Sequence, residues 1–297
     1  GKIDLNATLA GLGIDDNPPS LTDLENTASV HDLLKARSGI YHPALYETAR
    51  MKAQRPQRHR HAPGTFWYYN NWDFNATGTI YEQANGSSIY EDFERLIARP
   101  IGMEVFSAAD GSYVTGEDSI HRAYPFRMTA RDLARFGLLY LREGKWGDDQ
   151  IVPSQWIEDS LIAHSDAGTS GGYGYFWWIC KIDHHLPNVP LPLGAYSARV
   201  AGGHYLLIIP SLDLVIVHRV NTDIDDRRVE SSEFGELVRR ILLARRTDSI
   251  EETDSTTGIK TLVPLLMSKH RVPGAAILQI AERQVAAEHH FGLRQTG

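Results

Sequence analysis

Pro63-Gly64-Thr65-Phe66-Trp67-Tyr68-Tyr69-Asn70-Asn71 is the stretch on which the reading of this chain turns. The Pro-Gly pair marks a turn, and four successive aromatics lead into Trp72 to Ala84, which reads as a helix stopped by Gly86. Tyr69 and Asn71 therefore fall at a loop-to-helix junction, where a phenol and a carboxamide two residues apart can both face a cleft. Catalytic side chains are often held on such junctions. Taken alone, Trp67, Tyr68, Tyr69 and Trp72 would serve equally well as core aromatics.

Working outward, Ser29 can cap a short helix over Val30 to Arg37, with Asp32 in its first turn and Gly39 beyond its end. Ser88-Ile89-Tyr90-Glu91 has capping-box spacing, and Ile89, Phe93, Leu96 and Ile97 repeat on one face before Pro100. Thr129 opens another helix with Leu133, Phe136 and Tyr140 on one stripe, and Pro153 to Ala163 reads as one more. The pattern then turns β-rich at Tyr173 to Ile179, His204 to Ile209 and Leu212 to Arg219, the last two joined by a tight Pro210-Ser211 turn. A helix from Ser232 to Arg245 presents Phe234, Leu237, Ile241 and Leu242 to the sheet. A polar linker, 247–257, precedes a helix at Leu262 to His270 and a hairpin, Ala275 to Ala281 with Gln284 to Phe291.

Pro63-Gly64-Thr65, three residues, Tyr-x-Asn, a helix ending at Gly86, and a second ending Arg99-Pro100-Ile101-Gly102-Met103 together resemble serine β-lactamases, penicillin-binding proteins and their esterase and D-amino-acid peptidase relatives. Gly1-Lys2-Ile3-Asp4-Leu5, His31-Asp32-Leu33-Leu34 with Ser38-Gly39, and Met128 to Leu133 with Phe136-Gly137 match other family segments in order. Tyr68-x-Asn70 also satisfies the motif, but the spacing from Pro63-Gly64-Thr65 favours Tyr69 and Asn71.

The resemblance implies hydrolysis of an amide, ester or β-lactam bond through an acyl-serine. The serine attacks, a lysine one helical turn later and the tyrosine share its proton, and backbone amides hold the oxyanion. Tyr69 would be the general base and leaving-group acid, its phenol, with a pKa of ~10, needing positive charge nearby, chiefly from that lysine. Asn71 would bond the lysine or a substrate amide, a role compatible with bonding loop backbone. The family's Lys or His, then Ser or Thr, then Gly motif should fall near Ser197 to Ala201, and here the sequence departs from it. Arg199 is the cation available there, able to bind a carboxylate, and Val200 or Arg199 stands where glycine is usual. The candidate substrate and oxyanion region is thus Arg199, Val200, Ala201, Gly202, Gly203 and His204, with the two glycines read either as a close backbone approach or as a bulge.

No Ser-x-x-Lys occurs in the 297 residues. Val272-Pro273-Gly274-Ala275-Ala276, the hairpin, and Phe291-Gly292-Leu293-Arg294 resemble the family's N-terminal strands, so the family order is rotated, by permutation with a deletion or as a fragment of a tandem protein. The expected fold is α/β (α+β) and β-lactamase-like: an antiparallel sheet of about five strands flanked by helices, a mainly helical region, and a cleft between them. Residues 1–246 would form its major part, helical over about 25–165 and sheet-rich over about 170–246, followed by the linker and a 258–297 segment resembling the family's beginning. Three functional readings follow: a hydrolase, an inactive binding or scaffold form, and a fragment complemented by a separate nucleophile helix or by self-association.

The resemblance implies a small-molecule or peptide substrate, and composition argues against other partners. A net charge of -7 and a pI near 6.0 argue against nucleic acid, which needs a concentrated basic face. The one basic run, Arg55 to His61, reads as a solvated loop. Cys180 is the sole cysteine, which excludes an internal disulfide or a multi-cysteine zinc site, and it reads as buried filler. The thirteen histidines show no His-Glu-x-x-His spacing, so no metal site is expected, and the resemblance implies no organic cofactor. No stretch reaches the ~20 apolar residues of a membrane span and no signal peptide is read at residue 1, so a soluble chain is expected.

Overall fold

The computed structural model describes residues 3–181, 185–200, 202–222, 224, 227–248, 255–269, 274–281 and 284–292. In chain order the helices are α1 (Leu9–Leu12), α2 (Val30–Leu34), α3 (Ala49–Gln54), α4 (Asn71–Asn85), α5 (Ile89–Phe93), α6 (Ala130–Leu141), α7 (Ser154–Ser160), α8 (Ser231–Asp248) and α9 (Ser255–Lys269). The strands are β1 (Lys145–Trp146), β2 (Asp149–Gln150), β3 (Ser165–Asp166), β4 (Gly172–Tyr173), β5 (Trp178–Ile179), β6 (Tyr196–Val200), β7 (His204–Ile209), β8 (Leu214–Arg219), β9 (Gly274–Ala281) and β10 (Gln284–Gly292). The chain forms two compact units, one of residues 1–127, 162–167 and 173–176, the other of 128–161, 168–172 and 177–297.

In the first unit, side-chain caps decide where helices start. Ser29 and Asp32 form a reciprocal capping box at α2, and Asn70 accepts the Asp73 N–H at 2.9 Å at the start of α4. Helix α2 stops at Leu34, three residues short of the expected Arg37, because Ala36 takes a left-handed φ of 53°. Helix α5 is capped by Ser88 without the reciprocal Glu91 bond that its spacing suggested, and it runs on as a π turn, Glu94–Ala98. The core is built on Trp72, Leu9, Leu33, Ile40, Ile80 and Ile101, all at most 2% exposed. Asp16 ties this core together, accepting from Trp72 Nε1 at 2.7 Å, Ser119 Oγ at 2.8 Å and the Ile120 N–H at 2.9 Å. A buried carboxylate satisfied three times over fixes α4 at its first turn.

The second unit holds an antiparallel sheet in the order β10-β9-β8-β7-β6-β5. Strands β6 to β10 are the five long ones, in agreement with the expected size, and β9 lies directly on β8 with Ile216 opposite Ile277. Side chains alternate across the sheet. Tyr205, Leu207 and Ile209 of β7 and Leu214 and Ile216 of β8 share a core with Phe234, Val238 and Ile241 of α8, and with Val263 and Met267 of α9. On the other face α6 comes close enough that a Cβ on Gly137 would stand 2.7 Å from both Leu206 Cδ1 and Val215 Cγ1. Helix α9 begins at Ser255, seven residues before the expected start, and β8 begins at Leu214, after a 3-10 turn at Pro210–Leu212.

One expected strand is not continuous. Tyr173 to Ile179 is split into the ends of β4 and β5, with Phe176 at φ 62° between them. The split follows from side-chain partners in the first unit: the Tyr175 hydroxyl lies 2.8 Å from His31 Nε2, and the Phe176 ring is 4.4 Å from that of Phe74. The basic run is likewise partly engaged, Arg55 with Glu47 and Arg58 with the buried Glu25, and Cys180 is buried with its Sγ directed at the Leu191 carbonyl.

Candidate active site

The loop that carries Tyr69 is held from beneath by backbone bonds. Gly64 N–H donates to Arg37 O at 2.8 Å and Tyr68 N–H to Ala36 O at 2.9 Å. Gly39 allows the loop this close, since at φ 71° a Cβ there would meet His61 O at 2.8 Å. Tyr68 points its hydroxyl to Met51 O at 3.0 Å, and Asn70, 4% exposed, caps α4 and donates its Nδ2 to Tyr68 O at 2.7 Å. Both members of the alternative Tyr68-x-Asn70 register are thus employed in building the loop.

Tyr69 is half-buried, its ring edge-on to Phe74 at 5.3 Å and to Tyr173 at 6.0 Å. Asn71, the first residue of α4, donates its Nδ2 to Tyr46 O at 2.6 Å and to Leu45 O at 3.3 Å, so the backbone-bonding role read for it is present. The neighbourhood disfavours added negative charge. Burial pushes the Tyr173 phenol well up, with Tyr69 and Asp73 acting in the same direction, and raises Tyr41 to about 12. Burial also raises the Asp73 carboxyl to about 8, against hydrogen bonding from Ser38 and Asn70 that pulls it down. A base at Tyr69 in such a setting needs a cation beside it.

The region expected to bind substrate lies in the second unit. Arg199 and Val200 end β6, opposite Tyr205 and His204 of β7. Gly202 at φ 91° and Gly203 at φ 95° turn the chain between those strands. A side chain would be excluded at both: a Cβ on Gly202 would run into Thr222, and one on Gly203 into Val229 O at 2.5 Å. Val200 is 57% exposed, and Ala201 lies outside the described residues. His204 Nδ1 accepts the Val220 N–H at 3.2 Å, and burial, with Arg219 and His218, lowers its pKa to about 4, which leaves it neutral.

Arg199 is the centre of a network that sequence reasoning did not find. Its Nε donates to Ser197 Oγ at 2.9 Å, its Nη2 to His185 O at 2.7 Å, and its guanidinium lies over the Trp178 ring at 4.8 Å. Ser197 Oγ is also 2.9 Å from His185 Nε2. Strand alternation puts Ser197 and Arg199 on one face, but nothing in the sequence ties His185, on a separate loop, to them. Among the described residues no group of three or more His, Cys, Asp or Glu could hold a metal ion, and no helix is long and apolar enough to cross a membrane.

Helices flanking a long antiparallel sheet define a β-lactamase-like fold. The chain belongs to the beta-lactamase family, whose model matches residues 1–236, that is 236 of 297. Among solved structures it is similar to a Bacillus anthracis protein assigned as a 6-aminohexanoate-dimer hydrolase, at 22% identity and a TM-score of 0.60, over 84% of this chain and 68% of that one. It is also similar to a beta-lactamase from Mycobacterium bovis, at 18% identity and a TM-score of 0.53, over 82% and 79%. An octameric penicillin-binding protein homologue from Pyrococcus abyssi matches the whole of this chain and 72% of its own, at 16% identity and a TM-score of 0.53. These identities speak to the fold alone. No match is found among curated proteins.

Proposed function

We propose that this chain is the scaffold of an acyl-transferring serine hydrolase, acting on amide, ester or β-lactam bonds, in which Tyr69 moves the proton and Asn71 orients its partners. The observation that carries this reading is the register: Tyr68 and Asn70 build the loop, and Tyr69 with Asn71 is the pair set at the mouth of α4. With Asn71 Nδ2 turned to Leu45 and Tyr46, its Oδ1 is the atom that accepts from a lysine or a substrate amide. The serine and lysine come from a Ser-x-x-Lys helix, whose spacing of three sets both on one face. The lysine also supplies the cation that Tyr69 requires.

A second reading, a binding form without chemistry, is favoured by the absence of Ser-x-x-Lys from these 297 residues. The two are separated by fluorophosphonate labelling and by hydrolysis of a chromogenic cephalosporin and a nitrophenyl ester, each with and without a synthetic Ser-x-x-Lys helix. Activity that appears only with the peptide supports the first reading. Labelling of the chain alone contradicts it, and no activity under either condition leaves the second. In the restored system Tyr69→Phe should lower the rate by about a hundredfold or more while peptide binding is unchanged, the range in which general acid–base groups act. Unchanged rates would remove Tyr69 from the mechanism.

A further inference from the structure

At one end of the sheet in the second unit, four residues stand in a row across four strands: Val200 of β6, His204 of β7, Arg219 of β8 and Gly274 of β9. Val200 pairs with His204 and Arg219 with Gly274, and His204 faces Arg219 one step beyond the pair of Tyr205 and His218. Residues directly opposed on neighbouring strands share a face, with Cβ atoms about 5 Å apart. The row lies on the face where α6 packs, because Leu206 and Val215, the neighbours of Gly137, alternate with Tyr205 and Ile216 of the α8 core. Arg199 is opposite Tyr205 and so lies on the other face, apart from this row.

Arg219 is half-buried, and among the described residues its guanidinium has neither a hydrogen bond nor an ion pair. Burial pushes it below the usual guanidinium range, and no neighbouring carboxylate opposes that shift. A cation withdrawn from water without a counter-ion is costly to the fold. Beside it, His204 Nδ1 accepts the Val220 N–H. A backbone amide can only donate, so the neutral ring carries its hydrogen on Nε2, which has no acceptor among the described residues. The surroundings leave both donors room: a Cβ on Gly202 would stand 3.9 Å from His204 Nε2, and Gly274 sets no side chain next to Arg219.

We propose that this row is a binding site for a small organic carboxylate, in which Arg219 supplies the charge and its paired donors and His204 Nε2–H donates to the same anion. A planar guanidinium matches the two oxygens of a carboxylate, and the half-buried setting disfavours a more strongly hydrated phosphate. Val200, apolar and exposed beside His204, is the contact for the carbon that bears the carboxylate. Neither Tyr69 nor Asn71 belongs to the row, so the site does not depend on the hydrolytic reading.

The test is calorimetric titration of the full chain with acetate, acetamide and inorganic phosphate at neutral pH and constant ionic strength, which needs no hydrolytic activity. Acetate should bind in the millimolar range, with acetamide and phosphate about tenfold weaker or more. His204→Phe should weaken acetate by about tenfold, the scale of a hydrogen bond to a charged group. Arg219→Met keeps the aliphatic stem and removes the charge. It should abolish acetate binding and, with no acetate present, raise the urea midpoint, whereas loss of a merely structural arginine would lower it. Val200→Glu, at an exposed position, should bring a carboxylate to the same donors and displace acetate in a folded chain even if the other variants do not fold. Absence of acetate binding to the wild-type chain, equal affinity for acetamide or phosphate, a lowered midpoint in Arg219→Met, or full acetate affinity in His204→Phe or Val200→Glu would each overturn the proposal.

Discussion

Asp73 stands four residues after Tyr69 in the first turn of α4, and none of its surface is exposed. Burial raises its carboxyl from an ordinary 3.8 to about 8, so across that window the folded chain keeps a proton that the unfolded chain has released. The unfolded state then binds fewer protons, and the contribution of Asp73 to stability falls as pH rises, by at most about 1.4 kcal/mol per pH unit. Asp73→Asn has no proton to hold. Its stability relative to the wild type should therefore increase from about pH 4 to pH 8 and level off above, as measured by urea unfolding at several pH values. A constant difference would show that Asp73 titrates normally. At this scale the sequence singled out Tyr69 and Asn71 through motifs that resemble the family's. It left the Asp73 environment and the Ser197, His185 and Arg199 network hidden, because both are made by side chains distant in the chain.

Helix α6 shows how an element is specified twice. Thr129 accepts the Asp132 N–H at 3.1 Å and fixes the start, and Gly137 then lets the helix settle against Leu206 and Val215 of the sheet. Gly137→Ala improves helix propensity but places a methyl 2.7 Å from two branched side chains. Overpacking should win, costing about 1–3 kcal/mol, readable as a lower urea midpoint with an unchanged slope. An unaltered or higher midpoint would mean that the contact yields. The capped helices α4 and α6, and the continuous apolar run of β7, were legible nearly to their ends. The Tyr173 to Ile179 segment was not, since its aromatics answer to His31 and Phe74 instead of to a strand neighbour.

Over the whole molecule, burial lowers the imidazoles of His42, His121, His185 and His218, each at most 6% exposed, and it is the first cause in every case. An imidazole lowered in the folded state is protonated first in the unfolded one. The stability it contributes is complete above the ordinary value near 6.5 and is lost as pH falls below it. The chain should accordingly unfold at lower urea concentration at pH 5 than at pH 7, with a shallower loss in His121→Gln than in the wild type. An unfolding midpoint that does not move over this interval would show that these rings stay accessible to protons in the native state.

The sequence by itself determined the family, the antiparallel sheet with its flanking helices, and the Tyr69-Asn70-Asn71 junction, because caps, strand alternation and motif spacing are local properties of the chain. The hairpin of β9 and β10, which resembles the family's N-terminal strands, pairs with β8 through Ile216 and Ile277. Only the tertiary structure decided which tyrosine and which asparagine hold the loop, that Gly202 and Gly203 form a turn, and that His185 and Arg199 both bond Ser197. Those outcomes depend on burial and on partners far apart in sequence, which the packed chain alone brings within hydrogen-bond distance.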